Sequence, residues 1–181
     1  MQSKSIFTAL AAAIAVIATA HQDPCVDINA FSLKATDGKT YTKTTLCAKP
    51  TIVLFLSSGC PHNPKATPDF NKLKSQLGSK VNLIAVTNLG LAEAKAYGKK
   101  LNAQFPIIAD QKGILINMFG AKHSLDLGLV CAKDQKIAGH WEGYSKEILE
   151  EIVTSLPHHG GPTLKLDYSR YPKTRQSGCS F

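Results

Sequence analysis

Two runs of apolar residues dominate the pattern along the chain. Thr51-Ile52-Val53-Leu54-Phe55-Leu56 is continuously apolar after its first residue, which predicts a central strand covered on both faces. Val81-Asn82-Leu83-Ile84-Ala85-Val86 predicts a second core strand. Between them Phe70, Leu73 and Leu77 recur at helical spacing, so a helix follows Cys60, with Gly78 at its end and Pro68 expected to kink it. Leu91 to Leu101 reads as helix, Pro106 to Ala109 as a short strand, and Gly113 to Phe119 as a short helix. Leu127–Ala132 and Lys136–Trp141 read as a hairpin across Lys133-Asp134-Gln135. A last helix follows Tyr144, with Ser145 as its N-cap and Ile148, Leu149, Ile152 and Val153 facing inward.

Nearer the amino terminus, Ala30 to Ala35 alternates loosely and Asp37-Gly38 is a strong turn signal. Lys39 to Lys43 then returns as the partner strand of a hairpin. Parallel units followed by an antiparallel pair imply a mixed sheet with helices on both faces. Residues 1–20 read differently. Lys4 is a positive n-region, Ile6 to Ala20 is apolar, and Ala18-Thr19-Ala20 is a small-x-small cleavage site, the signature of a secretory signal peptide. The run is too short for a comfortable membrane span, although an uncleaved leader would act as an anchor. The expected layout is a leader at 1–20, one domain at 21–156 and, from Pro157, an irregular tail at 157–181 that wraps over the domain.

The formal charge of +8 comes from Lys and Arg scattered over the sequence, with no Arg-rich helix and no basic stretch interleaved with aromatics. This argues against nucleic-acid binding. The five cysteines, at 25, 47, 60, 131 and 179, leave at least one unpaired within the molecule. Export permits disulfides, and extension of the Asp37-Gly38 hairpin nominates Cys25–Cys47 as a structural bridge; two separate buried thiols are the alternative. No Cys-x-x-Cys pair is present, so no metal site is assigned.

Cys60 carries the chemistry. It stands where the Thr51–Leu56 strand meets the next helix, in Ser57-Ser58-Gly59-Cys60-Pro61-His62-Asn63. A thiol at the first turn of a helix faces unpaired N–H groups and the positive end of the helix dipole, and both favour thiolate. Pro61 suits the first helical position because its missing N–H costs nothing there. His62 is placed to hydrogen-bond to the thiol, to help ionise it, or to ligate a soft metal beside it. His123 and His158-His159 are further imidazoles within the same reading, although adjacent histidines in a Gly/Pro loop are more often solvated than ligating. A lone thiol needs a resolving partner, and Cys179 on the tail is the candidate because loop-closure entropy rises only slowly with length. A cysteine that pins the tail, or one in a disordered terminus, is the competing reading. Cys131 reads as a small core residue, and Asp110 and Asp134 as turn residues.

With these segments in hand, the chain resembles the thioredoxin-fold redoxins, specifically the peroxiredoxin-like alkyl hydroperoxide reductase/thiol-specific antioxidant family. The resemblance runs from about Ile28 to Leu156. It is carried by the Asp37-Gly38 hairpin, Phe55 to Pro61, Pro68, Phe105 to Asp110 with Gly113 and Phe119-Gly120, Asp134 to Lys136, and Trp141 to Tyr144. It implies an α/β, thioredoxin-like mixed β-sheet flanked by helices, with an N-terminal β-hairpin. It also implies a nucleophile at Cys60 supported by Ser57, Pro61, His62 and Asn63. Four positions depart from the family pattern. Asn63 stands where disulfide exchangers carry a second Cys, Val53 and Ser57 stand where peroxiredoxins carry Pro and Thr, and Leu125 takes the place of a loop proline.

The expected function is exported, thiol-based, peroxide-reducing oxidoreduction through Cys60, needing no organic cofactor. Its partners would be a peroxide, or a protein or small-molecule thiol–disulfide couple. The alternatives are thiol–disulfide exchange on envelope proteins and a non-catalytic, copper-carrying binding module.

Overall fold

A computed structural model describes residues 25–181. The signal-peptide reading of residues 1–20 lies outside the described residues. Strand β1 (Val26–Asp27) is followed by β2 (Ser32–Lys34), β3 (Thr40–Thr42), α1 (Lys43–Leu46), β4 (Thr51–Leu56) and α2 (Asn63–Leu77). The chain continues through β5 (Asn82–Thr87), α3 (Leu91–Leu101), β6 (Ile107–Ala109), α4 (Ile114–Phe119), β7 (Leu127–Cys131), β8 (Lys136–Trp141) and α5 (Lys146–Ser155). A 3-10 turn, Leu156–His159, closes the last helix, and the remainder runs as extended and bent chain.

The main sheet has the order β1-β8-β7-β4-β5-β6. β4 pairs parallel with β5 and antiparallel with β7, and β5 pairs parallel with β6. All six residues of β4 are buried, because the strand lies between two neighbours and beneath helices on both faces. Ile52, Leu54 and Leu56 point to one core with Phe70, Leu73 and Leu77 of α2 and Leu149, Ile152 and Val153 of α5. Val53 and Phe55 point to the other, with Leu115, Ile116 and Phe119 of α4 and Tyr41 of the hairpin. The period-2 alternation of a strand thus serves two cores at once. Ile148 of α5 is only partly buried, at the edge of the first core.

Three local features differ from the sequence reading. Val26 and Asp27 pair with Ile137 and Lys136 on the sheet edge, so β1 does not extend the β2–β3 hairpin. Cys25 and Cys47 are accordingly two unbridged thiols, one exposed and one buried, and burial raises the Cys47 pKa. The return strand β3 is short because Thr42 starts α1 with a reciprocal cap, its hydroxyl accepting from Thr45 N while Thr42 N donates to Thr45 Oγ1. Helix α2 begins at Asn63, not at Pro61. A turn containing Gly59 at φ +76° carries the chain out of β4, and Pro64 occupies the first helical turn, where its missing N–H costs nothing. Pro68 lies inside this helix, as its sequence position requires. Among the described residues, no helix is long and apolar enough to cross a membrane.

Candidate active site

Cys60 lies at the carboxyl end of β4, three residues before α2 begins. Its side chain is only 3% exposed. The C-terminal tail covers it. The main-chain N–H of Cys179 donates to Cys60 Sγ at 3.1 Å. Burial opposes ionisation of Cys60. The Cys179 thiol and N–H and the His62 N–H outweigh burial and hold the Cys60 pKa below that of a free thiol. Cys179 is exposed, and the hydrogen bond it gives to Cys60 raises its own pKa. Both are free thiols.

Asn63, where the sequence lacks a second cysteine, is fully buried and organises the floor of the site. Its amide donates to Ser57 O at 2.9 Å and to Tyr97 Oη at 2.7 Å, and its Oδ1 accepts from Ser124 Oγ at 2.7 Å. Ser124 Oγ in turn accepts from Ser57 N at 2.9 Å. Ser57, at the end of β4, also donates from its hydroxyl to Ser180 O in the tail, at 3.1 Å. Four elements are therefore tied around one sulfur: the β4 exit, the start of α2, α3 through Tyr97, and the loop before β7. His62 and Pro61 are exposed. His62 contributes its main-chain N–H to the sulfur, and its imidazole makes no hydrogen bond to Cys60.

The Lys122–Asp126 loop is held from below by Asp126. This fully buried carboxylate accepts from Lys122 N, His123 N and Gly143 N, and His140 Nε2 stands 3.5 Å away. Burial alone would raise the Asp126 pKa; His140 and the three N–H donors lower it. Leu125 adopts φ +73° and donates its N–H to Phe55 O at 2.7 Å, a bond that a proline there could not make. Asp110 caps α4, accepting from Ile114 N, Leu115 N and Ile116 N. Asp134 bonds through its N–H to Cys131 Sγ, and Cys131 is fully buried.

The sequence nominated Cys60, Cys179, Ser57, Pro61, His62 and Asn63, and the structure gathers all six within one neighbourhood. It adds Ser124, Tyr97 and Asp126. Ser124 lay in a loop already singled out, but nothing in the sequence marked its hydroxyl, and Tyr97 carried no signal at all. Among the described residues, no group of three or more His, Cys, Asp or Glu side chains could hold a metal ion.

A family model described as AhpC/TSA family matches residues 26–144. The chain belongs to the AhpC/TSA family. It is a redoxin, one of the thiol-dependent oxidoreductases. No curated protein matches the sequence. Among solved structures, the PrxQ mutant of Xylella fastidiosa has a TM-score of 0.63 at 14% identity, covering 77% of this chain and 98% of that one. The exposed lipoprotein thioredoxin Etrx1 of Streptococcus pneumoniae has a TM-score of 0.59 at 21% identity, covering 68% and 96%. Peroxidoxin BcpB of Mycobacterium tuberculosis has a TM-score of 0.56 at 15% identity, covering 67% and 86%. These likenesses establish the thioredoxin-like fold of this AhpC/TSA member.

Proposed function

We propose that this protein reduces hydroperoxides through Cys60, with Cys179 as the resolving thiol, and that it works in an exported compartment. The observation that carries this reading is the Cys179 N–H on Cys60 Sγ at 3.1 Å, over a sulfur only 3% exposed. Burial to this degree favours a small oxidant over a folded protein as the sulfur's reaction partner. The Cys60 thiolate attacks one peroxide oxygen, the O–O bond breaks, and the alcohol leaves with a proton from solvent. Cys60 is now a sulfenic acid. Cys179 attacks its sulfur, water leaves, and a Cys60–Cys179 disulfide forms. A dithiol reductant exchanges with that disulfide, restores both thiols and is itself oxidised. The signal-peptide pattern in the sequence of residues 1–20 is what supports export.

The test is peroxide consumption by wild type, Cys60→Ser and Cys179→Ser, with peptide mapping of the oxidised protein. Wild type turns over with a dithiol and accumulates the Cys60–Cys179 disulfide without one. Cys179→Ser consumes one equivalent and stops as a sulfenic acid trappable by dimedone. Peroxide consumption by Cys60→Ser at the wild-type rate refutes the proposal.

A second reading, thiol–disulfide exchange on envelope proteins, is favoured by one specific observation. The tail lies on the site as an extended, cysteine-bearing strand, antiparallel to the loop before β7. A partner's disulfide in that position would be attacked by Cys60, giving a mixed disulfide and a partner thiolate. Cys179 would then release the partner and leave the Cys60–Cys179 bridge.

A further inference from the structure

We infer that Tyr97 is the proton donor to the oxygen that departs when Cys60 takes the other oxygen of a peroxide. The inference deepens the peroxide-reducing reading and rests on it.

The protons around the sulfur can be counted. The Ser57 hydroxyl donates to Ser180 O at 3.1 Å, and the Ser124 hydroxyl donates to Asn63 Oδ1 at 2.7 Å. Both protons of the Asn63 amide are in use, one on Ser57 O at 2.9 Å and one on Tyr97 Oη at 2.7 Å. The Cys179 N–H is on Cys60 Sγ.

The direction of the Tyr97 bond is forced. Ser57 O is a carbonyl and only accepts, so the nitrogen of the Asn63 amide, and not its oxygen, faces Ser57 and Tyr97. Ser124 fits the same orientation, because its oxygen takes a proton from Ser57 N at 2.9 Å and gives its own to Asn63 Oδ1. Facing a donor, Tyr97 Oη accepts there. Its own proton has no acceptor among the described residues. Of the three hydroxyls tied into the floor of the site, Tyr97 alone has its proton uncommitted.

That proton is placed for use. Tyr97 stands on α3, half-buried against the first core, so solvent reaches it. Asn63 holds both ends of the arrangement, donating its amide to Tyr97 Oη and its main-chain N–H to Cys60 O at 3.2 Å. Burial raises the Tyr97 pKa, the Asn63 hydrogen bond lowers it, and the charges of Cys60 and Cys179 raise it, with a net upward shift. The phenol therefore keeps its proton at neutral pH and feels both sulfurs. The His62 imidazole, by contrast, is exposed and makes no hydrogen bond to Cys60.

The Cys60 thiolate attacks the terminal oxygen of the peroxide. An S–O bond forms and the O–O bond breaks. The sulfur is oxidised by two electrons to the sulfenic acid, and the peroxide is reduced. The departing oxygen takes the Tyr97 proton and leaves as alcohol or water, and the phenolate recovers a proton from solvent. A phenol is a far stronger acid than water, so the transfer runs downhill.

The experiment compares reduced, full-length wild type and Tyr97→Phe, following single-turnover loss of the Cys60 thiol by mass spectrometry. Three reagents are used. Hydrogen peroxide expels an oxygen that needs a proton. Peracetic acid expels acetate and iodoacetamide expels iodide, and neither needs one. Tyr97→Phe is expected to lose about 100-fold with hydrogen peroxide, and to stay within about twofold of wild type with the other two reagents. Slowing of all three alike means that the hydroxyl only supports the loop, and overturns the inference. An unchanged rate with hydrogen peroxide overturns it as well. If wild type reacts with iodoacetamide but with neither peroxide, the peroxide-reducing reading falls and takes this inference with it. An active wild type with an equally active Tyr97→Phe overturns the inference alone.

Discussion

Asn63→Ala tests whether the floor of the site is a hydrogen-bonded unit. The substitution removes three side-chain hydrogen bonds, of 2.7–2.9 Å, from a fully buried position. A net loss of about 1 kcal/mol per bond gives about 3 kcal/mol, and leaving the buried Ser124 hydroxyl without its acceptor adds about 1 kcal/mol more. For a domain of this size that is a fall in Tm of roughly 8–16 °C. Tyr97→Phe removes only one acceptor and should cost about 1 kcal/mol. The assay is urea unfolding of the reduced proteins, with a double-mutant cycle between Asn63→Ala and Ser124→Ala. A coupling energy of about 1 kcal/mol is expected for a direct bond between the two side chains. Destabilisation below about 1 kcal/mol for Asn63→Ala, with no coupling to Ser124→Ala, would refute the argument. Asn63 would then fill space without holding the nucleophile's loop.

Cys60 alkylation should show a pH midpoint below that of a free thiol, and Cys179→Ala should raise that midpoint by removing the neighbouring thiol. Because the folded pKa is depressed, the stabilisation is fully present above the unfolded value and is lost as pH falls through the folded one; a chemical-denaturation series of wild type against Cys60→Ser reads it. Asp126→Asn should cost about 3 kcal/mol, since an amide turns a donor towards N–H groups that a carboxylate accepts from. Asp126 also has a depressed pKa, so its contribution is present above the usual Asp value near 3.8 and fades as pH falls through the lower folded value. Acid unfolding of Asp126→Asn should therefore lack that part of the pH dependence. Gly128→Ala would set a Cβ 2.5 Å from Phe119 Cδ1 and Cε1 in the second core, and thermal melting should show a loss of about 2 kcal/mol.

The fold was legible wherever burial imposes a period. The β4 run declared a strand covered on both faces, and the spacing of Phe70, Leu73 and Leu77 declared the inner face of α2. Ser145 announced the start of α5 because a hydroxyl at an N-cap meets donors from its own next turn. The start of α2 was less legible, because two prolines compete for the helix entrance and the Gly59 turn decides between them. The path of β1 could not be read either. Its two residues pair with β8, and a strand that short has no period to reveal its partner.

At the site, the sequence by itself determined where the candidate nucleophile stands, because a thiol between a buried strand and a helix is a local statement. It also determined that the cysteine three residues on is missing. Only the tertiary structure decided that Asn63 fills that place with hydrogen bonds to Ser57, Tyr97 and Ser124, and that the tail returns to Cys60 from 119 residues away. Main-chain pairing between the tail and the loop before β7 uses atoms that every residue possesses, so no side-chain pattern announces it. Contacts of that kind exist only once the sheet has set the two edges side by side.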